Sequence, residues 1–417
     1  MRVLLCIYEL LGSVGGAERS LSDLASALSK RGHAVLILNH QDVNKSGTAL
    51  FYPLDKGVGL HSFTNESQRP DRPKDSSVES EGFIRYIRRR VFQCPLGHAG
   101  PWPPDVLQTK QVWLRDNELE VSAWRNQVKT LEPDVVVSFM VKTYVYVSRA
   151  ISGLHVPHII SNRTDPTKSP VYYGDPMFSS LISDAVETSA FNVILHESYR
   201  VYFNERSHRK TMVIPNPINT VHRLKPHRRE DGTRIVLNVG RSIHSKNQQL
   251  LIKSFSIISR EFPEWKVRIY GADAGNREDL IRLANDLDLR GQVEFFDPVV
   301  DIDDVYRNAD IFAFPSLYEG FPRALGEAAS HGLPCLVVED CVVTSGMVLA
   351  GQFGLVSRNT SEDYATKLKQ LIADEDIRQR QGANALEFAT RYRPDRVYDQ
   401  WENLIRMTHR QSVSFVS

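Results

Sequence analysis

Short apolar runs alternate with stretches of helical periodicity through both halves of the chain, and that alternation constrains the fold more than any single motif. The runs cover residues 3–8, 34–39, 135–139, 158–161 and 193–196 in the first half, and 235–239, 266–270, 293–296, 311–314 and 335–338 in the second. Between them, apolar residues recur every three to four positions, as in residues 17–31, where Leu21, Leu24, Ala25 and Leu28 share one face and Gly32 stops the helix. This is the pattern of βα units feeding parallel sheets.

A chain of 417 residues is too long for one core, so two α/β domains are expected. The break falls in residues 213–232, where prolines, basic residues and a closing glycine interrupt both periodicities. The expected domains are 1–213 and 214–390. A helical pattern follows Pro394, with Val397, Tyr398, Trp401, Leu404 and Ile405 as its apolar face, and by pattern alone it can pack on either domain. Residues 64–106, polar and proline-rich at their edges, read as an insertion in the first domain.

The formal net charge is only +1, so no global field recruits nucleic acid, and charge effects must be local. Cys6, Cys94, Cys335 and Cys341 lack paired or metal-ligand spacing, which suits free thiols in a reducing cytosol. The N-terminal apolar run is closed by Glu9 and is too short for a signal-peptide core. The best membrane candidate, 135–147, is short of the roughly 20 apolar residues a span needs and contains Lys142. A cytoplasmic protein is expected, with peripheral attachment to the inner face of the membrane as an addition considered below.

Four features would point to an anion if the fold gathers them. "GSVGGAE", residues 12–18, joins the first run to its helix, where glycines admit close backbone approach and a helix N-terminus offers N–H groups; a tight turn would read the same way. It lacks the G-x-G-x-x-G spacing and the acidic residue of a dinucleotide site. "VGRSIHSK" puts Arg241 and Lys246 on the loop after a strand, a planar fork and a mobile point charge suited to a diphosphate, or else plain surface charge. "YGADAGNREDL", residues 270–280, is a glycine-bearing turn between a strand and the next helix, and an ordinary turn would look the same. "YEGFPRALGEAASHGLP", residues 318–334, sets Glu319 at a strand's carboxyl end and Glu327 just over a turn into the next helix. Backbone N–H groups of Gly320, Phe321 and Arg323 favour an anion between them, Glu327 is suited to accept both hydroxyls of a ribose, and Glu319 to face a reacting sugar. Asp301 and Asp303 form a D-x-D, read either as a metal site or, more simply, as helix-capping acids whose charge favours the helix dipole.

The order Gly-Gly-Ala-Glu, Gly-Arg-x4-Lys and Glu-Gly-Phe-Pro-x4-Glu-Ala with Gly-x-Pro behind it resembles glycosyltransferase family 4, of group 1 type, over nearly the whole chain. "VIPNPI", residues 213–218, resembles that family's entry into its second domain, and the 391–417 segment its helix returning to the first. The resemblance implies a GT-B fold, two Rossmann-like doubly wound parallel-sheet domains facing across a cleft. It also implies transfer of a sugar from a nucleotide donor, expected to be a UDP-sugar, with retention of configuration. Arg241 and Lys246 would hold the diphosphate, Glu327 the ribose and Glu319 the sugar, while Gly15 and Gly16 close over the phosphates. "ISNRTDP" resembles a subgroup motif that puts Asn162 and Arg163 at the cleft. No cofactor and no metal are expected. Three positions depart from the family's pattern: Arg323 in place of Asn, Asn247 in place of Gly, and no Glu in the segment after Asp340.

Two other readings accommodate the same residues. A sugar-nucleotide epimerase would need an acid and a base near the sugar, with His33, His158, His196 and His244 available; an inactive binding protein would need none of the four charged residues. The acceptor is expected to be a glycan or lipid-linked glycan. In residues 81–93, "EGFIRYIRRRVFQ", a helix would collect Phe83, Ile84, Ile87 and Val91 on one face and Arg85, Arg88, Arg89 and Arg90 on the rest, which suits an anionic inner leaflet.

Overall fold

In the computed structural model the described residues are 1–11, 15–41, 50–63, 102–166, 175–219, 231–299 and 301–414; the basic segment 81–93 and Cys94 lie outside them. Two compact units are formed, Met1–Pro215 with Tyr398–Ser417, and Asn216–Val397. The first is built on β1 (Arg2–Ile7), β2 (Ala34–Asn39), β3 (Val58–Ser62), β4 (Val135–Phe139), β5 (His158–Ser161), β6 (Phe191–Ile194) and β7 (Thr211–Val213). These pair in parallel in the order β3-β2-β1-β4-β5-β6-β7. The second is built on β8 (Arg234–Val239), β9 (Trp265–Tyr270), β10 (Val293–Phe296), β11 (Ile311–Phe314), β12 (Cys335–Val338) and β13 (Gly354–Ser357). Their order is β10-β9-β8-β11-β12-β13, again all parallel.

Both are doubly wound sheets, and several of their interior strands are buried along their length: every residue of β4, β6, β11 and β12 is buried. Apolar side chains on both faces of a strand need helices on both faces of the sheet, which right-handed crossovers supply. In the second unit the helix Gln248–Ile258 brings Leu251 and Phe255, and the helix Ser361–Ala373 brings Tyr364 and Leu368, onto Val267, Ile311 and Leu336. Burial of one such side chain contributes about 1.5–3 kcal/mol. The edge strands β3, β7 and β13 are not anticipated by the apolar runs. They are only partly buried, so their sequences carry no continuous apolar signal. Cys6, Cys335 and Cys341 are buried free thiols.

The last helix, Pro394–Ser414, starts in the second unit and continues into the first. Trp401, Leu404 and Ile405 are buried, and Trp401 stacks on Phe139 at the end of β4 with ring centroids 6.2 Å apart. Its polar edge is fixed as well. Glu402 accepts from Arg31 at 3.0 Å, from Nε2 of the buried His33 at 3.1 Å and from Arg406 at 2.6 Å, while Asp399 pairs with Arg31 at 2.7 Å. Burial would raise the Glu402 carboxyl, but the hydrogen bonds from Arg406, His33 and Arg31 together outweigh it and hold it down at about 2. A depressed carboxyl gives stability that is present above its unfolded value, about 4.5, and lost as pH falls to about 2. Glu402→Gln is therefore expected to melt below wild type at pH 7, with the difference closing between those two values. Thermal unfolding of both proteins across pH checks this, and a difference independent of pH would contradict it.

Candidate active site

A sheet whose strand order reverses leaves a crevice outside the carboxyl ends of the two strands at the reversal, because their outgoing loops turn to opposite faces. In the second unit these strands are β8 and β11. The loop after β8 carries Arg241 and Lys246; the loop after β11 carries Glu319, Gly320 and Phe321 and leads into the helix Arg323–Ser330. The topology thus gathers Lys246 and Glu319, 73 positions apart in sequence.

The two loops touch. Lys246 Nζ donates to Glu319 Oε1, and the two form an ion pair of largely buried side chains, 18% and 13% exposed. Leu317 N donates to Ser245 O at 2.9 Å, so the backbones are joined beside that pair. The Lys246 stem lies along Gly240, and its ammonium sits 5.3 Å over the Phe314 ring. Beneath it Gln248 Nε2 donates to Asn238 Oδ1 at 3.0 Å and to Gly240 O at 3.2 Å, and Asn238 donates to Ala313 O at 2.8 Å, binding the strand ends to the helix start. Arg241 is exposed on the same loop. The charge of Glu319 is felt by Cys341, at the start of the helix Val342–Gly351. Burial pushes this thiol up, against the lowering hydrogen bonds from Thr344, and Glu319 adds to the rise.

The β8 loop is shaped by two backbone constraints. Asn247 has φ 50 and ψ 34, a left-handed conformation in which Asn is among the few tolerated side chains, and its amide donates to Asn359 Oδ1 at 3.0 Å. This accounts for Asn at a position where glycine is usual. Gly271, on the turn after β9, approaches Gly240 so closely that an added Cβ would overlap the Gly240 carbonyl, and next to it Ser242 N donates to Ala272 O at 2.9 Å. The first glycine of "YGADAG" therefore serves this loop, while Asp273 accepts from the N–H groups of Gly275, Asn276 and Arg277 and starts the next helix.

Glu327 lies on the helix Arg323–Ser330, where its Oε2 accepts from the Tyr306 hydroxyl at 3.1 Å. Phe321 is buried, with its ring against Tyr392 at 5.4 Å, so its side chain anchors the loop and only its backbone is suited to a ligand. Arg323 is the first residue of the helix. Asp301 caps no N–H with its side chain; Asp304 pairs with Arg307 at 3.1 Å and Asp303 lies 3.6 Å from His331. Among the described residues no cluster of three or more His, Cys, Asp or Glu side chains is arranged for a metal ion.

Residues 223–388 match the family described as glycosyl transferases group 1. The second unit of the chain is similar to that family. The group 1 match covers nearly all of the unit that holds Lys246, Glu319 and Glu327. Along 94% of its length the chain is 25% identical to an exopolysaccharide phosphotransferase of Streptomyces coelicolor, of which it spans 39%. It is 23% identical, over 94% of itself and 95% of the relative, to the GalNAc-alpha-(1->4)-GalNAc-alpha-(1->3)-diNAcBac-PP-undecaprenol alpha-1,4-N-acetyl-D-galactosaminyltransferase of Campylobacter jejuni. The fold is that of the Anabaena protein HepE, solved in complex with UDP and glucose: TM-score 0.68 at 17% identity, covering 97% of this chain and 99% of that one. The two parallel-sheet units are thus of the GT-B fold class.

In the first unit, Gly15 precedes the helix Gly16–Lys30, and the residues between Leu11 and Gly15 lie outside the described ones. Asn162 follows the last residue of β5. It is buried, accepting from Tyr144 at 3.0 Å and donating to Asn192 at 2.6 Å within the sheet. Arg163 stacks over Phe139 at 4.9 Å and over Trp401 at 5.3 Å. Three of the four histidines considered for proton transfer have other partners: His33 binds Glu402, His196 accepts from Ser198 N, and His158, which burial holds down at about 3, bonds Ser138 at 2.7 Å. Sequence reasoning missed Tyr306, which on spacing alone reads as one more apolar residue of a helix. The left-handed backbone at Asn247 gives a direct check on the loop. Asn247→Gly is expected to keep the thermal midpoint, and Asn247→Val to lower stability by about 1–2 kcal/mol; equal stability of the two would contradict this loop conformation.

Proposed function

We propose that the protein moves a sugar from a nucleoside diphosphate donor, a UDP-sugar, to a glycan or lipid-linked acceptor, with retention of configuration at the transferred carbon. The observation that carries the reading is the contact of Lys246 with Glu319 at the β8/β11 reversal, with Glu327 just over one turn into the helix that follows. An ammonium has three donors, so Lys246 can hold Glu319 and a phosphate oxygen together. Arg241 adds a planar fork from the same loop. As the bond from the anomeric carbon to the diphosphate oxygen breaks, negative charge grows on that oxygen, and fixed cations there stabilise the transition state more than the ground state. The acceptor oxygen forms its bond to the same carbon on the same face, and its proton passes to the leaving phosphate oxygen. Glu319 orients the sugar and Glu327 accepts from the ribose hydroxyls.

Support comes from the HepE structure, described with UDP and glucose, and from the relatives named for exopolysaccharide and undecaprenol-linked glycans. Arg241 and Lys246 supply the countercharge in this account, so transfer needs no divalent ion. Among the described residues no helix is long and apolar enough to cross a membrane; attachment through residues 81–93 to an anionic surface would bring the enzyme to a lipid-linked acceptor.

Lys246→Ala is expected to weaken UDP binding by about 1.5–3 kcal/mol in calorimetry, the range for hydrogen bonds to charged groups. Glu319→Gln is expected to leave UDP affinity unchanged or slightly tighter, because it removes a negative charge near the phosphate, while turnover of the sugar nucleotide falls at least a hundredfold. In EDTA the wild-type rate is expected to persist. Equal loss of UDP affinity in both variants, or a rate restored only by Mg²⁺ or Mn²⁺, would overturn this assignment of roles.

A further inference from the structure

The carboxylate assigned to the ribose is not held by its own helix alone. Tyr306, fully buried on the helix Ile302–Arg307, donates its hydroxyl to Glu327 Oε2 at 3.1 Å and lies 3.3 Å from Ala324 O. Its ring packs between Phe312, centroids 5.8 Å apart, and His331, centroids 5.2 Å apart and planes within 23°. His331 Nδ1 donates to the backbone carbonyl of Glu327 at 2.8 Å, which leaves Nε2 facing Asp303 Oδ1 at 3.6 Å. Two stacked rings therefore grip one residue, the tyrosine by its side chain and the histidine by its main chain.

We propose that Tyr306 is the positioning residue for Glu327, setting the carboxylate to recognise the ribose diol of the nucleoside diphosphate, with His331 fixing the tyrosine ring; this rests on the donor reading above. Packing alone does not call for the hydroxyl. A phenylalanine would fill the same volume without burying a polar group that must find a partner. What the hydroxyl adds is a fixed direction for a side chain with three rotatable bonds, and a carboxylate meets two vicinal hydroxyls only in one orientation. Ordering that rotamer before binding removes an entropic cost from the binding step. A carboxylate has about four acceptor positions, so one hydrogen bond from Tyr306 does not exhaust it.

The test compares UDP with 2′-deoxy-UDP and 3′-deoxy-UDP on the intact protein by calorimetry. Wild type is expected to prefer UDP. Tyr306→Phe is expected to lower that preference at least fivefold, with the melting temperature of the unliganded protein nearly unchanged. In a Glu327→Ala background the same change is expected to have no further effect. If Tyr306→Phe does not fold, His331→Leu, which removes the ring and its donor from beneath the tyrosine, gives the same readout with a smaller loss. A preference for UDP kept in full by these variants, or an undiminished effect of Tyr306→Phe without Glu327, overturns the positioning role and leaves the donor reading standing. No binding of UDP by wild type overturns both.

Discussion

Where two adjacent parallel strands send their chains to opposite faces of a sheet, no helix covers the gap between their outgoing loops. At β8 and β11 this gap holds the Lys246–Glu319 ion pair. Contacts around the pair tie those two loops in place. The buried strand ends are tied by Asn238 and Gln248, the left-handed Asn247 turns the chain into its helix, and Gly271 allows the β9 turn to lie against Gly240. Each device acts on backbone position, and the side chains that would meet a ligand inherit their placement from it.

On the function proposed above, the Lys246–Glu319 pair would resolve an electrostatic conflict. A carboxylate facing the sugar of a nucleotide donor also stands near a diphosphate, and like charges at such distance repel. A lysine between them screens one from the other while keeping donors for both. Removing either partner of so enclosed a pair leaves the other charge uncompensated, which is costly. The pair therefore acts as a unit, and Tyr306 extends the same logic to Glu327 by fixing the second carboxylate with a neutral donor.

Much of the interior of both sheets was legible in the sequence because strands covered on both faces are largely apolar; residues 34–39, 135–139, 158–161, 311–314 and 335–338 coincide with β2, β4, β5, β11 and β12, and 293–296 with the edge strand β10. The edge strands β3, β7 and β13 were not, since half-exposed residues there carry mixed side chains. In the site, the types and loops of Lys246, Glu319 and Glu327 could be read from position after a strand or at a helix start. Their contacts could not: nothing local in "VYRNAD" reports that Tyr306 reaches a residue twenty-one positions on. The contacts of Asn162 were hidden for a related reason. A polar residue after a strand can turn outward or into the sheet, and here Tyr144 and Asn192, distant in sequence, draw it inward.

The central claim is that the β8/β11 reversal holds the nucleotide end of the donor. Hydrogen–deuterium exchange of the intact protein with and without saturating UDP tests it most directly, because backbone N–H groups of these loops would become protected. The account expects the largest protection in peptides covering 240–247 and 316–327. Saturating UDP binding with protection elsewhere and none in those two segments would contradict it.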